Sequence, residues 1–452
     1  MIMTKSYFRI GLLGLALTCA LGIGAKNNSL PGSGTDDEPY LIATYSDLKQ
    51  IATDLTAIYS LTADIDATNS LNENSGAGWT PLGTSSTSSF SGKLHGHGHV
   101  ISNLFINLPL ATTGSNVGLF GYITAATIDS VGVTNANITG NTNVGGLIGS
   151  SNGGTITNSF TTGSVTGTSF VGGLIGFTNA SATSYSFSTA AVNVVSSGGG
   201  GLVGSNNYAS TINYSYSTGK VTATGTSTSI VGGLVGFLGG TVSNSYSKSE
   251  IANGVAQVGG LVGTAFSNPM GAKSSIVNSY SIGKVNGTAA TIGGLVGANP
   301  LTGTTVTNSY WNSETSGQTT SVLGTGRTAA NLKLSSTFAS WDFTNIWKID
   351  TFNDGYPYLA WQKTTSTVTS VDNLSSVTPT VLILQKENGF VVKLANEKLL
   401  NSILHIYSAV GSEVYHQKIT SELTDVNLPK GQYIGRVQKS TGESITFKTL
   451  VY

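Results

Sequence analysis

The chain has 452 residues, of which only 9% are charged; 21 Lys and Arg balance 21 Asp and Glu, and 59 residues are Gly. Its length permits two or three domains, and so little charge excludes both a basic nucleic-acid surface and disorder driven by charge repulsion. Abundant Thr and Val suit pleated surfaces, while Gly and Asn accept the positive φ of tight turns, which leaves an all-β reading.

Residues 1–25 have the layout of a targeting segment. Lys5 and Arg9 give a short positive start, and an apolar run from Ile10 to Ile23 ends in Gly24 and Ala25. This reads as a cleaved signal peptide. A permanent anchor needs about 20 apolar residues, and a lipidated Cys19 needs a small residue before it, where Thr18 stands. Cleavage after Ala25 removes Lys5, Arg9 and Cys19, the one cysteine, so the mature chain has a net charge of 0 − 2 = −2 and no disulfide.

Residues 26–105 read as a cap with the first coils of a repeat. Asp47-Leu-Lys-Gln-Ile51 is helical in pattern, and an amphipathic helix near residues 46–52 would cover the first strand edge. Asp36, Asp37 and Glu38 are either a calcium cluster or a solvated turn, and three successive acids without alternating spacing favour the turn. His95, His97 and His99 alternate with Gly. On a strand this spacing puts three rings on one face, a geometry able to bind Zn or Ni.

From residue 106 to 361 one phrase recurs: Val144-Gly-Gly-Leu-Ile-Gly149, Val231-Gly-Gly-Leu-Val-Gly236 and Val258-Gly-Gly-Leu-Val-Gly263 are three of its seven copies. The leucines fall at 119, 147, 174, 202, 234, 261 and 295, so the gaps are 28, 27, 28, 32, 27 and 34. A second phrase follows each first one, as in Val242-Ser-Asn-Ser-Tyr246 and Ile276-Val-Asn-Ser-Tyr280, and a third is Gly219-Lys-Val221 or Gly283-Lys-Val285. The period predicts coils of three short strands, roughly ten coils rising about 4.8 Å each, some 45 Å in all. Units this poor in helix formers are not leucine-rich repeats, and they are too short for propeller blades. Stacking should bring Phe160, Phe187, Tyr216, Tyr246, Tyr280 and Tyr310 into one column and Ser159, Ser186, Ser215, Ser245, Ser279 and Ser309 into another, around a dry and nearly uncharged core. Both faces of the Gly-Gly-Leu strand are apolar, so the pattern does not choose the buried one.

Residues 362–378 are rich in Ser and Thr and read as a flexible linker. In residues 379–452 alternating segments, from Val381-Leu-Ile-Leu384 to Ser444–Val451, predict a small β-sandwich of six or seven short strands.

The repeat phrases resemble the GLUG repeat of bacterial surface and secreted proteins. The likeness covers about residues 34–361, from Gly34-Thr-Asp-Asp-Glu-Pro-Tyr40 to Asn353-Asp-Gly-Tyr-Pro-Tyr-Leu-Ala-Trp361. It implies a right-handed parallel β-helix, and of the three histidines it accounts for His99 alone, as part of a turn. The tail resembles the C-terminal sorting domain of the type IX secretion system through Leu404-His-Ile-Tyr-Ser-Ala-Val-Gly411, Asn427-Leu-Pro-Lys-Gly-Gln-Tyr433 and Phe447-Lys-Thr-Leu-Val-Tyr452. Gly411-Ser-Glu-Val414 departs from that family's usual Gly-Lys-Leu or Gly-Lys-Val. That resemblance implies an Ig-like sandwich, export through the outer membrane of a Gram-negative bacterium and removal of the tail at the surface; an ordinary Ig-like adhesive module is the alternative.

Catalytic patterns are missing. Between residues 101 and 320 the carboxylates are Asp129, Glu250 and Glu314, and repeat phase puts Asp129 with Thr157 and Thr307 but Glu250 with Lys220 and Lys284, on another strand. Acid and base chemistry on a solenoid needs such groups to converge. The sequence therefore predicts a secreted or cell-surface, adhesin-like binding protein with no catalytic residue and no cofactor. Its partners would be a glycan or another extracellular macromolecule and the type IX export machinery, with no nucleic acid and no transmembrane span in the mature chain. A carbohydrate-active enzyme or its accessory module, or a passive surface-layer protein, are the other readings.

Overall fold

A computed structural model of the chain describes residues 29–108, 115–225, 229–254, 256–266, 273–288, 291–301, 303–363, 381–386, 389–394, 400–408, 412–421, 423–429, 431–438 and 444–451. The expected signal peptide, Cys19 included, and linker residues 364–378 lie outside them. The chain forms two compact units, Met1–Ala360 and Trp361–Tyr452.

The first unit is a β-solenoid, and one coil shows its rule. Thr241–Ser243 lies in a first sheet, Tyr246–Ser247, Ile251–Gly254 and Gln257–Gly259 in a second, and Val262–Ala265 in a third. Each pairs in parallel with its equivalent in the next coil: Val242 with Ile276, Tyr246 with Tyr280, Val258 with Ile292 and Val262 with Val296. Among the described residues, the first sheet has ten strands and the third seven. About seven coils are therefore complete, fewer than the ten expected, because the third sheet begins only at Phe120–Thr124.

The repeat phrases fall on corners, where the sequence pattern predicts strands. In Val231-Gly-Gly-Leu-Val-Gly236 one strand ends at Gly232 and the next begins at Val235, with the turn on Gly233 and Leu234. The chain turns too tightly there for side chains: a Cβ on Gly232 would overlap the Val235 carbonyl oxygen, and one on Gly233 the Gly260 carbonyl oxygen. The seven repeat leucines are all fully buried at this corner, and their backbones form a ladder, Leu202 N donating to Leu234 O at 3.0 Å and Leu234 N to Leu261 O at 2.9 Å. Leucine therefore points inward at the bend itself, which an alternating pattern cannot show.

The Asn-Ser phrase is the second corner. Asn158, Asn244, Asn278 and Asn308 hold φ between 43° and 49°, the left-handed region that Asn tolerates better than most residues. The following serine is buried and does two jobs. Ser215 Oγ donates to Asn213 O at 2.8 Å and accepts the Ser186 N–H at 3.2 Å; Ser245 and Ser279 repeat this with the coils before them. The serine column thus satisfies backbone groups that a bend leaves out of the sheet ladder.

The expected aromatic column also forms, but it faces outward. Ring centroids are 4.8 Å apart for Phe160 and Phe187, 4.9 Å for Phe187 and Tyr216, 5.1 Å for Tyr216 and Tyr246 and 5.2 Å for Tyr246 and Tyr280, all close to parallel. Alternation from the inward serine sends the next residue out. Phe160, Phe187 and Tyr216 are half-buried, whereas Tyr246 and Tyr280 lie beneath Trp347, and Tyr280 and Tyr310 beneath Phe338 and Trp341, where Tyr310 turns edge-on to Phe338. Burial holds the Tyr280 phenol well above its ordinary pKa. The interior is instead built from Leu, Val and Ile with buried serines, and Trp311 takes the inward place of Ser281, filling the last coil.

The helix runs Tyr45–Gln50, starting one residue and ending two residues before the expected 46–52. Thr44 caps it in a reciprocal box with Asp47, and Leu48 and Ile51 join the core of the first coils. In the second unit, where six or seven strands are expected, seven are present among the described residues. Val381–Lys386, Gly389–Leu394 and Leu423–Asn427 form one antiparallel sheet; Glu413–Lys418, Ile403–Ser408, Gly431–Gln438 and Ser444–Val451 form another. Phe390, Val392, Leu404, Ile406, Val426 and Val437 share one apolar cluster.

Ser215→Ala removes the acceptor of the buried Ser186 N–H. The expected loss is about 1–3 kcal/mol in chemical denaturation, against about 0.5 kcal/mol or less for Thr222→Ala on the outer side.

Candidate functional site

The third sheet carries a column of outward side chains that alternates large and small: Phe177 pairs with Ser205, Ser205 with Phe237 and Phe237 with Thr264. Ser205 leaves a gap between two phenylalanines that a bulky residue would close. A neighbouring corner adds Phe170, in the left-handed region at φ 52°, and Gly198 at φ 75°, where a Cβ would lie 2.7 Å from Phe170 and 3.1 Å from Phe237. The result is a cleft of about 500 Å³ walled by Phe170, Phe177, Phe237 and Phe266.

Its rings meet edge to face, Phe170 with Phe177 at 6.0 Å and 60°, Phe170 with Phe237 at 5.9 Å and 64°, and Phe237 with Phe266 at 6.3 Å and 76°. Edge-to-face contacts leave part of a ring face open, unlike the parallel rings of the Phe160 to Tyr280 column. Ser205, Asn207, Gln257 and Thr264 supply polar groups; Thr264 donates to Gln257, and Asn207 Oδ1 is buried without a protein partner. Among the described residues, no ionisable side chain lines the cleft. None of these residues stood out in the sequence, although the alternation of Phe177, Ser205, Phe237 and Thr264 at equivalent repeat positions was its signal.

His95, His97 and His99 occupy a turn, where the alternation predicts a strand. Only His95 belongs to a strand, Lys93–His95; His97 has φ 52° and Gly98 φ 84°. The turn directs the three rings to three partners: His95 Nδ1 lies 2.6 Å from Asp129 Oδ2, His97 Nε2 2.8 Å from Ser60 Oγ, and His99 Nδ1 3.0 Å from Asp64 Oδ1. Neighbouring coils thus provide the carboxylates that the local sequence lacks, Asp129 because it is in register with His95. Among the described residues, the set of His, Cys, Asp and Glu whose ligand atoms all lie within 4.8 Å of one another is His405, Glu413 and His416, in the second unit.

The three carboxylates between residues 101 and 320 each have a different partner. Asp129 binds His95, Glu250 pairs with Lys220 at 3.0 Å, and Glu314 Oε2 accepts the Ala329 N–H at 2.9 Å. Ser60 and His97 form a dyad, but Asp129, which could orient an imidazole, is bonded to His95. Asp36, with Asp37 and Glu38 beside it, is an exposed partner of Lys93 at 2.5 Å.

No family model matches the chain. It is 43% identical over 140 residues to halomucin of Haloquadratum walsbyi, an alignment covering 29% of this chain and 2% of that protein. It is 33% identical over 147 residues to a protein of Evansella cellulosilytica described as a Gly-rich membrane protein, covering 32% of this chain and 13% of that one. The chain thus spans a small part of the curated relatives it matches. A solved structure of a proposed immunoglobulin A1 protease from Bacteroides ovatus is 25% identical, with a TM-score of 0.49, covering 73% of this chain and 94% of the other. Among the described residues no helix is long and apolar enough to cross a membrane.

Burial lowers the His97 pKa from its ordinary 6.5; Asp129 opposes this, and the charges of His95 and His99 reinforce it. The unfolded chain therefore binds the proton first as pH falls. The stability due to neutral His97 is complete above about pH 6.5 and is lost as pH drops through the lower folded value. An NMR titration should place His97 below 6.5, and His97→Asn should reduce the fall in melting temperature between about pH 7.5 and pH 5.5.

Proposed function

We propose that the protein is an extracellular β-helix binding protein, adhesin-like in role, that holds a neutral glycan in the cleft between Phe177 and Phe237. The observation that carries this reading is the lining of the cleft: aromatic rings beside amides and hydroxyls, with no ionisable group. Such a surface offers nothing to a phosphate, a carboxylate or an ammonium group. It suits a sugar, whose C–H faces pack on aromatic rings while its hydroxyls meet the half-buried Gln257 amide and solvent. A repeated outer surface adds weak contacts at fixed spacing along a long polymer.

The same reading takes the protein as a GLUG-repeat protein that carries a signal peptide in residues 1–25 and an Ig-like type IX sorting domain in residues 379–452. Seven antiparallel strands in two sheets over a common apolar cluster support the second assignment. Likeness to halomucin and to a Gly-rich membrane protein supports a cell-surface setting. Binding without turnover is the reading supported by Asp129, Glu250 and Glu314, which are each engaged by a different partner.

A panel of neutral oligosaccharides and polysaccharides should yield a ligand for the full chain, and Phe237→Ala should weaken it at least about tenfold by calorimetry, equivalent to about 1.4 kcal/mol. Unchanged affinity in that variant removes the cleft from the reading. Silence across the panel favours a passive structural role, and shortened products favour an enzyme. In the producing cell, deletion of residues 379–452 should keep the protein from the surface and the medium; undiminished release would overturn the sorting assignment.

A further inference from the structure

We propose that His405, Glu413 and His416 form a binding site for a divalent transition-metal ion of the Zn²⁺ class. His405 and His416 are directly opposite each other on antiparallel strands Ile403–Ser408 and Glu413–Lys418, so their side chains share a face. Leu404 and Ile406 point into the core from the same strand, which sends His405 to the outer face. Glu413 is three residues from His416, and in a regular strand that odd separation would place the two on opposite faces.

A bulge changes this. Ile406 pairs with Tyr415 but Tyr407 pairs with Glu413, so Val414 is an extra residue without a partner. It absorbs one step of the alternation and returns Glu413 to the face that carries both imidazoles, the re-aiming that bulges commonly perform. Glu413 Oε1 then lies 2.5 Å from His405 Nδ1 and 3.6 Å from His416 Nδ1. The two rings are 4.7 Å apart at 54°.

Two neutral imidazoles and one carboxylate are a donor set that suits Zn²⁺, with Ni²⁺ and Cu²⁺ as competitors, and three protein ligands leave positions for water. The side chains of His405, Glu413 and His416 are 15%, 39% and 57% exposed, so an ion has a path from solvent and His405 has a packed support. Arg436 is in register with His405 on its other side, and its Nε is buried without a partner. That fixed positive charge opposes a cation, and Glu413 offsets it. Removing the guanidinium should therefore tighten binding.

Calorimetric titration of the full chain with ZnCl₂ should show an ion lost when this trio is broken. His416→Ala and Glu413→Gln are each expected to raise Kd at least tenfold, Arg436→Gln to lower it, and His97→Ala to leave it unchanged. His416 is well exposed, so its variant should fold even where His405→Ala does not. X-ray absorption of the loaded protein should show imidazole and carboxylate ligands. Absence of binding at about 1 mM ZnCl₂, or binding that survives His416→Ala and disappears with His95→Ala and His97→Ala combined, would overturn the assignment.

Discussion

Parallel in-register pairing between successive coils is the constraint on which the first unit depends. A strand can pass its hydrogen bonds along an axis indefinitely, but a bend interrupts the ladder, and each coil bends several times. The solenoid closes those gaps with two devices. At the Gly-Leu corner the backbone continues its own ladder from leucine to leucine. At the Asn-Ser corner the serine hydroxyl accepts the N–H of the preceding coil's serine while donating within its own coil.

This arrangement explains why the repeats are so uniform and so poor in charge. The repeat leucines and the corner serines are each stacked on their own kind about one strand spacing away, so a charge there would be repeated against itself in a medium of low dielectric. Serine, leucine, glycine and asparagine meet the requirement because each satisfies or avoids polar groups locally. Outward positions carry no such demand. There Phe177, Ser205, Phe237 and Thr264 follow one another in a single column, and the variation creates a cleft without disturbing the coil.

The aromatic column and the phenylalanine cleft illustrate two uses of the same side chains. Parallel rings from Phe160 to Tyr280 turn their faces to one another, and the segment bearing Phe338, Trp341 and Trp347 covers part of the column. In the cleft the rings come from different strands and a corner, meet edge to face and enclose space. Stacking in the first case is support for the fold; in the second, the geometry leaves surface for a partner.

The sequence by itself determined the coil period, the composition of the serine and aromatic columns, the helix near residue 47 and the strands of the second unit. These follow from local spacing, and in-register stacking forces equal spacing to give equal position. Tertiary structure alone decided which way residues face wherever the chain bends or bulges. A corner at Gly96–His99 sent His95, His97 and His99 to Asp129, Ser60 and Asp64, partners 34, 37 and 35 residues away, and the bulge at Val414 brought Glu413 beside His416. Alternation is legible only while a strand stays regular. Each bend or extra residue resets its phase, and the groups that then meet are fixed by register between distant segments.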